Sequence, residues 1–336
     1  MKRDMKAWLN DMVASPVKKA LPVLSFPAIQ LMGITVRALI SDSERQAEGM
    51  SLVAERVKSA AAVSLMDLSV EAECFGSTIR VSDEEVPTVT GSIVKTEEDV
   101  KNLTVPPVGA CRTGIYIKAI EKAVQQIQDR PVLAGIIGPF SLTGRLMDVT
   151  EVMYACYDEP ETVRKVLEKV TGFLIEYALA YRAVGAGGVV MAEPLAGVLN
   201  PELAEEFSCK YVKKIIDAVQ TNEFIVVYHN CGNATPSMTD QLAAMGAAAY
   251  HFGNAVQMEE ILKKMPSGVP CLGNVDPAGQ FRNGTPESIR QATLTLMEKC
   301  TQYPNFVISS GCDIPPASKW ENIDAFFAAV DEFYGK

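Results

Sequence analysis

The sequence contains no run approaching the roughly 18 consecutive apolar residues that a bilayer-crossing helix requires, so no membrane span is expected. It also lacks dense or regular cysteine spacing. The cysteines, at positions 74, 111, 156, 209, 231, 271, 300 and 312, are scattered, unlike the framework of a disulfide-stapled secreted domain. A reducing, cytoplasmic setting is the natural expectation. The basic start Lys2-Arg3 suggests a signal peptide, but Asp4, Lys6, Asn10 and Asp11 interrupt any apolar segment behind it. Positive charge is in deficit, 31 Lys and Arg against 41 Asp and Glu, which argues against nucleic acid or an anionic membrane surface as the main partner. No GxGxxG follows the first apolar run, so the dinucleotide-binding signature is missing. Histidine is scarce: His229 and His251 are the only two.

What is present is material for a large core. With 48% hydrophobic residues in 336, a disordered or fibrous class is excluded, and the length permits two domains or one large α/β barrel. Short apolar or β-branched runs recur at 22–27, 63–70, 132–138, 187–192, 224–229, 247–252, 269–274 and 306–311. Between them lie helical patterns with start signals: Ser43 with Gln46, Asp158 with Glu161, Asn200 before Pro201, Thr285 before Pro286, and Ser318 with Glu321. Continuously apolar strands are those of a parallel sheet buried on both faces. The alternation predicts an α/β fold, a (β/α)8 TIM barrel forming a single domain over 1–336, although a doubly wound open sheet shows the same alternation. The long connection 71–131, with acidic runs and Val105-Pro106-Pro107-Val108-Gly109, reads as an insertion after the second strand. Residues 1–20 read as a helix closing the barrel bottom.

Barrel enzymes place reacting groups at the C-terminal ends of their strands. Here those ends carry Glu193-Pro194, His229-Asn230-Cys231-Gly232, His251-Phe252-Gly253-Asn254, Gly273-Asn274-Val275-Asp276-Pro277 and Gly311-Cys312-Asp313. In an extended segment residues i and i+2 point the same way, so His229 and Cys231 can present a nitrogen and a thiolate to one metal ion, with Cys312 as a third ligand. One histidine and two cysteines with an open fourth position is a catalytic zinc arrangement. Two thiolates argue against magnesium or calcium. A lone buried cysteine is as a rule inert packing, the reading taken for Cys74, Cys111, Cys156, Cys209, Cys271 and Cys300.

The segments around His229, Asn274 and Cys312, together with Glu71-Ala72-Glu73-Cys74-Phe75-Gly76, Gly138-Pro139-Phe140, Glu193-Pro194, Gly284-Thr285-Pro286 and Glu321-Asn322, resemble the uroporphyrinogen decarboxylase superfamily over nearly the whole chain. They are most similar to its zinc- and corrinoid-dependent methyltransferase branch. The resemblance implies zinc held by His229, Cys231 and Cys312. It implies a methyl group moved between methylcobalamin, on a separate partner corrinoid protein, and a small molecule such as a thiol (coenzyme M or another) or tetrahydrofolate. Gly138, Asn274 and His251 are the candidates for the cofactor-binding side. His251 is read as a reserve ligand, a substrate contact or a packed strand-end residue. Glu193, Asp276 and Asp313 are the candidates to receive a proton or to orient His229. Glu71 and Glu73, alternating at a strand end, place at most one side chain at the barrel mouth. The carrier's docking surface is expected to include 71–131 and the loops after Gly138 and Glu193. A metal-free decarboxylase and a non-catalytic accessory protein are the alternatives. The first fits poorly, because the first loop, 25–33, has no arginine for a polycarboxylate until Arg37.

Overall fold

A computed structural model of the protein describes residues 3–335. Its strands are β1 (Ala62–Val63), β2 (Thr78–Arg80), β3 (Thr88–Thr90), β4 (Val132–Ile137), β5 (Gly188–Ala192), β6 (Ile225–Asn230), β7 (Ala249–Phe252), β8 (Cys271–Val275) and β9 (Phe306–Ser310). All but β2 and β3 form one parallel sheet of seven strands in the order β1-β4-β5-β6-β7-β8-β9. Each strand neighbours its sheet predecessor in the chain, as expected when helices make the crossovers.

The sheet is buried on both faces, and its alternation sorts the side chains. Leu133, Val190, Ile225, Val227, Ala249, Leu272 and Val307 form an inner cluster, closed at one end by Met5, Leu9 and Met12 of the helix Met5–Ala14. The in-between residues, among them Ile136, Val189, Met191, Tyr228, Tyr250 and Ile308, face the surrounding helices. Met5 packs against Gly187 at the start of β5, and its amide donates to the Asn222 carbonyl just before β6. The N-terminal helix therefore closes the end opposite the metal-ligand candidates.

Eight strands were expected in the main sheet, and among the described residues it has seven. Residues 22–27 form no strand, because Pro22 and Pro27 lack the N–H a ladder needs. The residues leading into it nevertheless bridge the two edges of the sheet: Leu21 N–H donates to the Ile308 carbonyl of β9, and Ala60 N–H, two residues before β1, donates to the Ala20 carbonyl. Side chains replace missing rungs, with Val23 N–H donating to Ser310 Oγ and Ser309 Oγ donating to the Leu21 carbonyl. The sheet thus curls until one short segment spans its two edges. The second expected strand, 63–70, shrinks to Ala62–Val63, and the helix Val70–Cys74 begins where it was to end, so Glu71 and Glu73 ride on a helical turn. Between β1 and β4 lie this helix, the antiparallel pair β2–β3, the helix Glu97–Asn102 and the helix Cys111–Gln126.

Two of the read helix starts are caps as expected, Asn200 accepting from Leu203 N–H and Thr285 from Ser288 N–H. Three lie off by a residue or two: Asp42 caps the helix Ser43–Arg56, Asp158 ends a helix and the next begins at Pro160, and Lys319 precedes Trp320–Phe333. Among the described residues no helix is long and apolar enough to cross a membrane.

Candidate metal centre

His229 and His251 continue the inner phase of their strands, two residues beyond Val227 and Ala249. They are paired in register across β6 and β7, so both imidazoles enter the curl of the sheet. Cys231 follows β6 and Cys312 follows β9. One ligand atom from each of His229, Cys231 and Cys312 lies within 4.8 Å of the others, with Cys312 Sγ 3.4 Å from His229 Nε2.

Close backbone passage builds this corner. A Cβ on Gly253 would stand 2.5 Å from the Cα of Cys231, and Gly232 meets Gly197 backbone to backbone. Only glycine allows the loops after β5, β6 and β7 to close on one another here. Asn230 secures the turn, its Oδ1 accepting from Gly232 N–H at 2.9 Å and from Thr235 Oγ at 3.1 Å.

The imidazole proton positions follow from acceptors that cannot donate. His251 Nε2 lies 2.8 Å from the Ser310 carbonyl and 2.8 Å from Ser309 Oγ, whose own proton goes to the Leu21 carbonyl. His251 Nε2 therefore carries a hydrogen, and Nδ1 of the neutral ring is an acceptor. His229 Nδ1 lies 2.6 Å from that Nδ1 and 3.2 Å from the His251 carbonyl, so it is the donor. His229 Nε2 is left with a bare lone pair facing Cys312. Burial, then the neighbouring His229, holds His251 well below the usual imidazole range, which keeps it neutral.

The thiols form a coupled pair. The Cys312 thiol donates to Cys231, which pushes Cys231 below the ordinary thiol range and raises Cys312 in turn. One imidazole lone pair and two thiols, one already disposed to ionise, fit a borderline-soft ion such as zinc with a position left open.

The other candidates are placed as follows. Glu193 continues the outer phase of Val189 and Met191, between sheet and helix. Its Oε1 accepts from Phe140 N–H at 2.7 Å and Ser208 Oγ at 3.0 Å, and its Oε2 from Ser141 N–H at 2.8 Å. It pins the N-terminus of the helix Pro139–Met147, and Gly138 is where its carboxylate would collide with any side chain. Burial raises the Glu193 carboxyl against these bonds. Asp276 caps Pro277–Arg282, accepting from Ala278 and Gly279 N–H. Asn274 donates to the carbonyls of Gly253 and Val256, tying down the loop after β7. Asp313, beside Cys312, has a buried Oδ1 without a hydrogen-bond partner, and burial with nearby Asp67 pushes its carboxyl well up. The residue that orients His229 is His251, not one of the three carboxylates.

Sequence reasoning missed a second constellation. Asp67, almost fully buried, accepts from Arg112, from Tyr116 OH at 2.9 Å and from Ser69 Oγ at 2.6 Å, while Arg112 also donates to Glu73 at 2.5 Å. Arg37, the first arginine after 25–33, is exposed and paired with Asp83.

A curled parallel sheet with an imidazole and two thiols gathered at its strand ends defines an α/β protein with a His/Cys cluster that could hold a metal ion. The chain belongs to the uroporphyrinogen decarboxylase family, whose model, described as "Uroporphyrinogen decarboxylase (URO-D)", matches residues 17–333. A methylcobamide:CoM methyltransferase, MtbA, of Methanosarcina acetivorans is 26% identical over 253 residues, 74% of this chain and 72% of that protein. A uroporphyrinogen decarboxylase of Hydrogenovibrio crunogenus is 25% identical over 294 residues, 84% of this chain and 81% of that one. Among solved structures, a methyltransferase from Methanosarcina mazei superposes with a TM-score of 0.86 at 22% identity, covering 99% of each chain, and so shares the fold.

Proposed function

We propose that this protein is a zinc-dependent methyltransferase, working as a single domain, that moves a methyl group between a corrinoid on a partner protein and a thiol. The convergence of His229, Cys231 and Cys312 at strand ends, with His229 Nε2 left bare, is the observation that carries this reading. The methylcobamide:CoM methyltransferases among its relatives support it.

Zinc, when bound, converts an incoming thiol of ordinary pKa near 8.5 into a sulfur nucleophile at neutral pH. The chain's own residues prepare the place. His251 fixes the His229 tautomer, and two cysteine sulfurs keep the centre electron-rich. Of the three candidate carboxylates, Glu193 and Asp276 are committed to backbone amides, whereas Asp313 Oδ1 is free to accept the proton or a donor of the incoming thiol. Glu193 is assigned a positioning role: it holds the helix after β4 in place. The methyl donor approaches from the strand-end side, since the N-terminal helix closes the other.

Although decarboxylases are also relatives, the decarboxylase reading lacks its cationic loop, and Arg37 is spent on Asp83. The test combines metal analysis with methylcobalamin demethylation by a panel of thiols. About one zinc per chain and thiol-dependent cob(I)alamin formation are expected, both lost in Cys312→Ala. A zinc-free protein after metal-supplemented expression, or conversion of uroporphyrinogen III at an enzymatic rate, overturns the reading.

A further inference from the structure

The end of the sheet opposite the metal-ligand cluster holds a cavity of about 380 Å³, within the roughly 300–1,000 Å³ range of small-molecule sites. It lies where β4 and β5 begin, with Pro131, Val132, Ala186 and Gly187 in its walls. Three guanidiniums reach it from separate segments. Arg3 precedes the helix Met5–Ala14, Arg130 precedes β4, and Arg182 lies in the last turn of the helix Pro160–Ala183. The chain as a whole carries a net charge of −10, so this concentration of positive charge runs against its composition. Local bonds fix the guanidiniums without exhausting them. Arg130 Nη1 donates to the Val57 carbonyl at 2.7 Å, just past the helix Ser43–Arg56, and its charge is answered by Asp129. Arg182 Nη1 donates to the Val219 carbonyl at 3.0 Å, at the end of the helix Lys210–Val219, and Arg3 Nη2 to the Gln128 carbonyl at 3.4 Å. One such bond uses one of the five N–H donors of a guanidinium. Among the described residues neither Arg3 nor Arg182 forms an ion pair, and Glu223, the one carboxylate lining the cavity, pairs with none of the three arginines.

We propose that this cavity binds a phosphorylated organic anion of nucleotide size, its diphosphate end held by Arg3 and Arg182 and its carbon body laid on Met5, Val124, Ile127 and Pro131. Guanidinium is the side chain that matches phosphate oxygens two at a time. Because Arg130 and Arg182 are already tethered to helix-end carbonyls, little side-chain freedom is lost when an anion arrives. A bare phosphate would leave the apolar wall uncovered, whereas an organic ester covers it. Met5 connects the site to the rest of the fold. Its side chain lines the cavity and also closes the inner cluster, a Cβ on Gly187 would stand 2.9 Å from its Sδ, and its amide donates to the Asn222 carbonyl at 2.7 Å. The bound anion therefore ties the start of the helix Met5–Ala14 to the turns that precede β4 and β5, and stabilises the folded chain by mass action. The site lies apart from the strand-end chemistry and does not rest on the proposed methyl transfer.

Isothermal titration calorimetry of the full chain with ADP, at fixed ionic strength in magnesium-free buffer, tests this together with thermal denaturation. Saturable one-site binding and a raised melting temperature are expected. Pyrophosphate, which keeps the diphosphate and lacks the carbon body, should bind more weakly. Arg3→Gln, at an exposed residue with a single long bond to lose, should weaken ADP binding by about 10-fold or more, the scale of a lost hydrogen bond between charged groups. Gln125→Glu, which places a carboxylate at an exposed position of the lining, should also weaken it. Arg182→Gln should do the same, and because it also removes the bond to Val219, the first two variants decide if it folds poorly. Lys263→Gln removes the same charge from a surface residue outside the cavity and should leave affinity unchanged. No saturable heat with ADP, equal affinity for pyrophosphate and ADP, or a loss in Lys263→Gln as large as in Arg3→Gln overturns the proposal. None of these readouts depends on zinc or methyl transfer, so failure here and failure of the proposed activity are separate results.

Discussion

His229 and His251 stand side by side on adjacent parallel strands with their Nδ1 atoms 2.6 Å apart, and only one of the two can carry the proton between them. The carbonyl of Ser310 decides which, by requiring the hydrogen of His251 on Nε2. His251→Ala should therefore leave the three ligands in place but weaken zinc affinity by about 10–100-fold, the usual cost of losing an outer partner of a ligating histidine. Competition against a chelator of known affinity measures it. Unchanged affinity would mean that the 251 carbonyl alone suffices.

Replacing either cysteine ligand by alanine should abolish stoichiometric zinc while the protein still folds, since the strands are packed independently of the metal. Cys271→Ala and Cys300→Ala should retain full zinc. Atomic absorption with circular dichroism distinguishes the two groups.

Glu193→Ala should behave as a structural lesion. It strips two helix-terminal amides and Ser208 of their buried acceptor, at a cost of about 3 kcal/mol for bonds to a charged group. Urea denaturation should show that loss with zinc still bound. Intact stability with abolished methyl transfer would instead make Glu193 a reacting group.

Asp313→Asn should spare fold and zinc and lower thiol-dependent demethylation by about 100-fold, the scale of a lost proton acceptor. Asp276→Asn, which touches only a cap, should cost no more than about 1 kcal/mol of stability and little activity. Parallel kinetics on the two variants provide the comparison.

Glu71 supplies a pH signature. Its carboxyl is fully buried, accepts one bond from Ile137 N–H at 3.0 Å and leaves Oε2 without a partner, and burial raises it from 4.5 to about 7. The folded state therefore holds a proton that the unfolded chain releases above pH 4.5. Stability from this group is complete below that value and lost as pH rises through 7, by about 3 kcal/mol at most. Glu71→Gln, which cannot ionise, should flatten this limb, so denaturation at pH 5 and pH 8 should converge for the variant.

The strand ends that bring His229, Cys231 and Cys312 together were legible because His, Cys and the flanking glycines follow apolar runs directly. The phase of Glu193 was not. Gly188–Ala192 is apolar at every position, so nothing in it tells which alternate residues face inward. His251 was ambiguous for a related reason: its role depends on the register of β6 against β7 and on a carbonyl of β9, both long-range. Residues 22–27 read as a strand from their apolar content, but their two prolines cannot supply ladder donors.

The chain of bonds from His229 does not stop at Ser309. Ser309 Oγ in turn donates a hydrogen bond to the carbonyl of Leu21, in the short segment that bridges the two edges of the sheet. The candidate metal centre and the seam of the molecule thus share one mechanical fastening. Occupancy of the ligands should act as a clasp: with metal bound, amide exchange at Leu21 and Val23 slows, and stripping the ion frees the seam before any other part of the sheet opens.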